Sequence, residues 1–209
     1  MKDILKLCIS LGFFCAVSGG ALAFVNHKTA EPCKRAEEAE RTDKLKLVLP
    51  ADAVETLSDD LVDGVQFFRA MDGNGKLLAY AAEGMSNSGF GGELRVLAGI
   101  SPEGTILGIL VSKHSETPGI GTTVTDRKAT RSLWEVLSGN STVDPFPPNR
   151  ILDSYSGKTL QQPLTLGSGD NGVMSISGAT ISSKAVLAAV NSISQAWQKK
   201  SSAAGMEVK

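Results

Sequence analysis

The chain runs to 209 residues, 42% of them apolar and 21% charged, with 21 basic side chains against 22 acidic ones and a formal net charge of -1. That balance argues against electrostatic binding of nucleic acid, and the apolar content excludes a disordered or fibrous chain. The cysteines, Cys8, Cys15 and Cys33, all lie near the start, so no intramolecular disulfide can staple the rest, and the length suggests one main domain that stands on packing alone.

Residues 1–6 form a short tail carrying Lys2 and Lys6, and residues 7–25 hold no charge. A helix over 7–25 spans roughly 28 Å, close to the thickness of a bilayer core, and is read as a transmembrane helix. A cleaved secretory signal is the alternative, because the start is basic and Ala21-Leu22-Ala23 resembles a cleavage site. The length of the uncharged run favours the anchor. Lys2 and Lys6 before the span are matched by Lys28, Lys34 and Arg35 after it, so charge counting leaves the orientation open. Either export reading puts the main domain outside the cytoplasm. Residues 26–50 follow as a polar linker helix, rich in Glu37, Glu38, Glu40, Arg41, Lys44 and Lys46, read as solvated and broken by Pro50.

Residues 51–199 are expected to form the main domain. Residues 51–61 are read as a short helix. Short apolar runs separated by turns then predict strands over 65–70 and 77–82, joined at Asp72-Gly73-Asn74-Gly75. Two more are expected over 93–100 and 105–112, joined at Ser101-Pro102-Glu103-Gly104. A helix over 127–137 would carry Leu133, Trp134 and Leu137 on one side and end at Gly139 and the prolines 145, 147 and 148. Short strands are read over 164–166 and 173–176. The last helix has the clearest pattern: Val186, Val190, Ile193 and Trp197 make one apolar stripe, off which Ser183, Lys184 and Asn191 fall, and Thr180 stands where an N-cap belongs. Residues 200–209 are a polar, flexible tail. The fold class is α+β, an antiparallel sheet packed by helices.

Three tempting readings fail. Gly167-Ser168-Gly169-Asp170-Asn171-Gly172 spells the dinucleotide pattern, but a short strand follows it where that chemistry needs a helix to receive a pyrophosphate, so it is read as a surface turn. His27 and His114 are the only histidines, and with every cysteine beside the membrane there is no soft ligand set for zinc. No G-x-S-x-G elbow accompanies His114, so a hydrolase is disfavoured, and neither catalytic side chains nor metal ligands are assigned.

Ser177-Gly178-Ala179-Thr180 places a hydroxyl at a helix start beside residues too small to shield it. Unpaired N–H groups and a partial charge of roughly +0.5 at such an end suit a phosphate. From position alone an ordinary threonine cap is the better reading.

The segment resembles the S/T-G-A-T motif of extracytoplasmic flavoproteins, in which the threonine carries FMN through a phosphoester installed by a flavin transferase that uses FAD and magnesium. The resemblance makes Thr180 the acceptor and Ser177, Gly178 and Ala179 its frame. His114-Ser115-Glu116-Thr117-Pro118-Gly119-Ile120-Gly121 is similar to the H-x-E-T-P-G-L-G loop of the G component of Rnf-type electron-transport complexes and of the C component of the sodium-translocating NADH:quinone reductase. Residues 89–92, with Leu94-Arg95-Val96 and Gly99-Ile100 after them, resemble the glycine-rich entry to the same FMN-binding domain. The likeness implies that Glu116, Thr117, Gly119 and Gly121 line the flavin, with bracing of the loop as the alternative for His114 and Glu116.

One departure stands out. The family usually has an acidic residue six positions before the acceptor, where this chain has Met174, and Asp170 comes four residues too early. Loss of that carboxylate predicts slow or absent modification. The length favours the Rnf G component over the quinone-reductase C component. The resemblance implies an inner-membrane, single-pass electron carrier between ferredoxin and NAD, coupled to ion translocation, with other membrane subunits and a flavin transferase as partners. Its rivals are the quinone-reductase component and a flavin-free membrane-tethered scaffold.

Overall fold

The computed structural model describes residues 2–128 and 146–203. It divides into two compact units, Met1–Thr42 and Asp43–Lys209. One helix, α1 (Lys2–Val48), makes up the first unit and contributes its last turns to the second. Its apolar stretch is exposed, and it is long and apolar enough to cross a membrane. Pro32 lies inside it, and a ring there denies the Lys28 carbonyl its usual N–H partner. Farther along, Arg35 reaches back to Glu31 at 2.6 Å, the spacing of one helical turn.

The second unit is built on a five-stranded antiparallel meander in the order β1 (Glu55–Val62), β2 (Val65–Met71), β3 (Leu77–Gly89), β4 (Gly92–Ile100), β5 (Ile106–Lys113). Each strand pairs with the next in sequence, because every connection is a short turn. After β5 come α2 (Thr122–Thr125), α3 (Arg150–Asp153), the parallel pair β6 (Thr165–Leu166) and β7 (Gly172–Val173), a 3-10 turn (Ser177–Ala179), and the long helix α4 (Thr180–Ala203). This is the α+β architecture expected.

Alternation along the strands gives the sheet two buried faces. One presents Phe67, Tyr80, Ala82, Leu94, Val96 and Ala98 to α4, whose Val186, Val190, Ile193 and Trp197 are all buried against it. Gly84 lets the helix come close: a Cβ there would sit 2.5 Å from the Ala189 carbonyl oxygen and 2.7 Å from Ile193 Cγ1. Trp197 meets Tyr80 edge-on at 5.2 Å between ring centroids. The opposite face carries Ala70, Ala79, Ala81, Leu97 and Leu110, covered by Leu45, Val48 and Leu49. Here too a glycine makes room, since a Cβ on Gly99 would lie 1.9 Å from the Val48 carbonyl oxygen.

Four expectations need correcting. Residues 51–61 do not form a helix; Glu55–Val62 is an edge strand paired with β2 from Glu55↔Met71 to Val62↔Val65. The turn that forces this is Asp63-Gly64, both with positive φ, the two-residue geometry that matches strand twist. Nor is the linker helix solvated throughout, since Leu45 and Val48 are core residues of the second unit. Ser183, placed off the apolar stripe, is buried, its hydroxyl donating to the Ala179 carbonyl at 3.0 Å. Finally, Thr180 is not an N-cap: its backbone is already helical, and the helical segment begins three residues earlier. The 127–137 helix lies outside the described residues but for Arg127 and Lys128, which are not helical. The G-x-G-x-x-G stretch is the exposed connection between β6 and β7, with Gly167 and Gly169 at positive φ.

Candidate functional site

Three segments converge at the start of α4: the β3–β4 turn, the loop after β5, and the turn that opens the helix. The link between them is Glu116. Its carboxylate is buried, with Oε2 accepting from the Ser182 hydroxyl at 2.7 Å and Oε1 accepting from the Gly91 N–H at 3.4 Å. Glycines wall it in. A Cβ on Gly89 would stand 2.6 Å from Oε1, one on Gly121 would stand 2.6 Å from Oε2, and one on Gly91 would stand 1.8 Å from the Ser115 carbonyl oxygen. Any larger residue at these positions would push the segments apart.

The loop is held by its own hydrogen bonds. The Thr117 carbonyl accepts from the N–H groups of Ile120, Gly121 and Thr122, at 3.3, 3.0 and 3.3 Å. Gly119 takes φ +81, the left-handed conformation a side chain resists, and donates its N–H to Thr122 Oγ1 at 2.8 Å. His114 braces the near end. Its Nδ1 accepts from the Glu116 N–H at 3.3 Å, so the proton belongs on Nε2, which lies 2.8 Å from Asp126 Oδ1. Both ring nitrogens are thus engaged, and among the described residues no serine hydroxyl is bonded to the ring in the manner of a catalytic triad. Asn149 ties in the next element, accepting from the N–H groups of Ile151 and Leu152 and donating to the Thr123 and Asp126 carbonyls.

Thr180 stands on the other side of the helix start from Ser182, as two residues on a helix must. It is exposed, and so are Ser177 and Gly178, while Ala179 is buried beneath them. The Thr180 hydroxyl donates backwards, to the Ser177 carbonyl at 3.1 Å and the Ile176 carbonyl at 3.4 Å. With its proton turned inwards, its lone pairs face solvent. Among the described residues no side chain caps this helix end, and no acidic residue occupies the first turn of α4. Its partial positive charge is left to an anion from outside. Lys184, one turn on from Thr180, is exposed on the same face.

The structure therefore brings Glu116, Gly121 and Ser182 together and leaves Thr117, Gly119, Ser177, Gly178 and Thr180 at the surface. Ser182 and Gly91, to which the sequence motifs assign no role of their own, complete the contact; the one signal for Gly91 is its place in the glycine run. Around the site, Phe90, Ile120, Met174 and Ile181 expose large apolar side chains to solvent.

These residues suit a flavin phosphate: an exposed threonine oxygen, an uncapped helix end, and open space at Gly178, where a Cβ would meet nothing within 4 Å. The chain belongs to the FMN-binding domain family, whose model matches residues 89–195. The G subunit of the Na(+)-translocating ferredoxin:NAD(+) oxidoreductase complex of Acetobacterium woodii is 30% identical over 218 aligned positions, covering 96% of this chain and 94% of its own. The G subunits of the ion-translocating oxidoreductase complexes of Cereibacter sphaeroides and Methanosarcina acetivorans are 31% and 28% identical, covering 75% and 91% of this chain and 77% and 93% of theirs. This chain is a homologue of those G subunits, which are components of ion-translocating oxidoreductase complexes. The crystal structure of Shewanella oneidensis NqrC superposes with a TM-score of 0.45 at 23% identity over 68% of this chain and 65% of that one.

Proposed function

We propose that this chain carries FMN covalently on Thr180 and relays electrons between ferredoxin and NAD within an Rnf-type complex, coupled to ion translocation. The observation that carries the reading is the exposed Thr180 hydroxyl on an uncapped helix end, with open space at Gly178. Support comes from the Acetobacterium woodii relative, whose name specifies a ferredoxin:NAD(+) oxidoreductase and sodium translocation. Bound flavin supplies the electron-storing chemistry, and the chain supplies attachment, orientation and a tuned surrounding.

Attachment would use FAD. The Thr180 oxygen would bond to the phosphorus on the FMN side of the pyrophosphate as the bridging P–O bond breaks, with AMP as the leaving group and the hydroxyl proton passing to solvent. Gly178 leaves space for the phosphate, the start of α4 faces it with positive dipole, and Lys184 adds a cation one turn away. Ile181, Ile120 and Phe90 expose apolar side chains that would offer contact area to the ring, and Thr117 and Gly119 of the 114–121 loop would line it. The α1 span would hold the carrier in the inner membrane with its flavin domain on the extracytoplasmic side, within reach of the other subunits and of the flavin transferase. Residues 51–199 would form that domain, with residues 26–50 as its stalk.

The test is co-expression with a flavin transferase, denaturation, and a search for flavin fluorescence and an FMN adduct on the peptide containing Thr180. Thr180→Val, which removes the hydroxyl and keeps the shape, should lose both signals. An unmodified wild-type chain under those conditions would instead favour the flavin-free scaffold.

A further inference from the structure

We propose that Glu116 is a positioning residue for the acceptor turn, acting through Ser182 as a latch that holds the start of α4 shut against the two glycine-rich loops. This inference deepens the flavin-carrier reading and rests on it. The Glu116 carboxylate is buried and both its oxygens accept hydrogen bonds from the protein, so it faces the chain and not the surface. Of its two partners, Gly91 belongs to the sheet side and Ser182 to the helix, two residues beyond Thr180. The carboxylate therefore bridges the rigid sheet and the turn that presents the acceptor.

The rest of that turn is held by burial of Ala179 and by bonds that do not reach the glycine-rich loops: the Ser183 hydroxyl and the Ala179 N–H bond within it, to the Ala179 and Ile176 carbonyls at 3.0 Å. Ile176 N–H reaches Ser183 Oγ only at 3.5 Å, Met174 N–H donates to Ser154 Oγ at 3.0 Å, and Thr180 bonds only within its own turn. Around Glu116, by contrast, Gly89 and Gly121 bring backbone so close that a Cβ on either would stand 2.6 Å from a carboxylate oxygen, and a Cβ on Gly91 would stand 1.8 Å from the Ser115 carbonyl oxygen. A charge-assisted hydrogen bond in the interior is among the stronger single links a chain can make. His114, anchored on Asp126, fixes the Glu116 backbone from behind. The chain of contacts runs from Asp126 through His114 and Glu116 to Ser182.

Hydrogen exchange and flavin transfer, both on the full-length chain in detergent, test the latch. Ser182→Ala and Glu116→Gln should each speed amide exchange over residues 178–183 by about tenfold, the size of one such bond, without speeding it in β3 and β4. With purified transferase, FAD and magnesium, the same variants should lower the turnover number for FMN transfer and leave the KM for the chain unchanged, since the turn stays exposed but loses its fixed geometry. The double variant should be no worse than the singles. Ser194→Ala removes a buried hydroxyl of the same helix, bonded to the Leu160 carbonyl at 2.7 Å far from the acceptor, and serves as the control for general destabilisation. Should Glu116→Gln not fold, Ser182→Ala carries the test alone. Unchanged exchange over 178–183, or a transfer defect equally large in Ser194→Ala, would overturn the latch. Locally faster exchange in a protein whose wild type takes no FMN would support the latch and overturn the carrier reading.

Discussion

The carboxylate of Glu116 and the hydroxyl of Ser182, 66 residues apart in sequence, meet at 2.7 Å in the protein interior. This contact joins the loop after β5 to the helix that bears Thr180, and it explains why glycines crowd both approaches. The buried acid needs the backbone close on several sides, so residues that bear no functional group are as constrained as the acid itself.

Gly91 and Gly178 should therefore respond in opposite ways to the same substitution. Gly91 has no positive φ, so alanine is tolerated by its backbone, but its Cβ would fall 1.8 Å from the Ser115 carbonyl oxygen. Gly91→Ala should cost more than about 2 kcal/mol, because backbone rather than a flexible side chain must move. Gly178→Ala adds a methyl to open space in a helical turn and should be neutral or stabilising by up to about 1 kcal/mol in the unmodified chain. Urea unfolding of the two variants measures both effects. A loss of FMN attachment in a Gly178→Ala chain of normal stability would then report on the site and not on the fold.

Met174→Asp should speed FMN attachment. Met174 is exposed on the strand of chain leading into the acceptor turn, so a carboxylate there would incur little burial cost and could engage the transferase or its magnesium. An acceleration on the order of tenfold is expected for a restored metal-positioning group. Single-turnover attachment rates with FAD and magnesium measure it. An unchanged rate would show that the missing acid does not limit modification.

Lys184 sits one helical turn beyond Thr180 on the exposed face. Its charge favours a phosphate at the helix start by a few tenths of a kcal/mol up to about 1 kcal/mol, as exposed pairs do. Lys184→Glu should slow attachment by roughly two- to tenfold, more at low salt than at high salt, and Lys184→Gln should fall between. Transfer rates at two ionic strengths distinguish this from a fold defect, which salt would not relieve.

The meander and the final helix are legible in the sequence because periodicity and turn chemistry agree there. The β2–β3 and β4–β5 hairpins lie where their Asn-Gly and Pro-Glu-Gly turns place them, and the four stripe residues of α4 are all buried. The first strand reads as a helix because Asp59 and Asp60 weaken its β pattern; these acids are taken up by Arg69 and Lys200, which no local pattern reveals. The Asp63-Gly64 turn is the local signal against that helix. In the site, the acceptor motif marks Thr180 and the loop motif marks Glu116, but their relation through Ser182 joins residues far apart in the chain, and spacing carries no record of such contacts.

High pH should unfold this domain through identifiable groups. Burial pulls the Lys200 ammonium down, but hydrogen bonds and charge from Asp59 and Asp60 outweigh it and hold its pKa above the ordinary lysine value. Burial pushes the Tyr155 phenol up as well. A group whose folded pKa is raised stabilises the fold fully below its unfolded value and loses that contribution as pH climbs through the folded one. Stability should thus hold to about pH 10 and fall beyond it, by up to about 1.4 kcal/mol per pH unit for each group involved. Tyr155→Phe conserves volume and should stay within about 1.5 kcal/mol of the parent at neutral pH while unfolding at a higher alkaline midpoint. Lys200→Met should flatten the alkaline slope too, but at lower neutral stability, because it leaves Asp59 with Arg69 as its ion-pair partner. Circular dichroism during base titration follows both, and a parent slope unaltered in either variant would assign the alkaline transition to other groups.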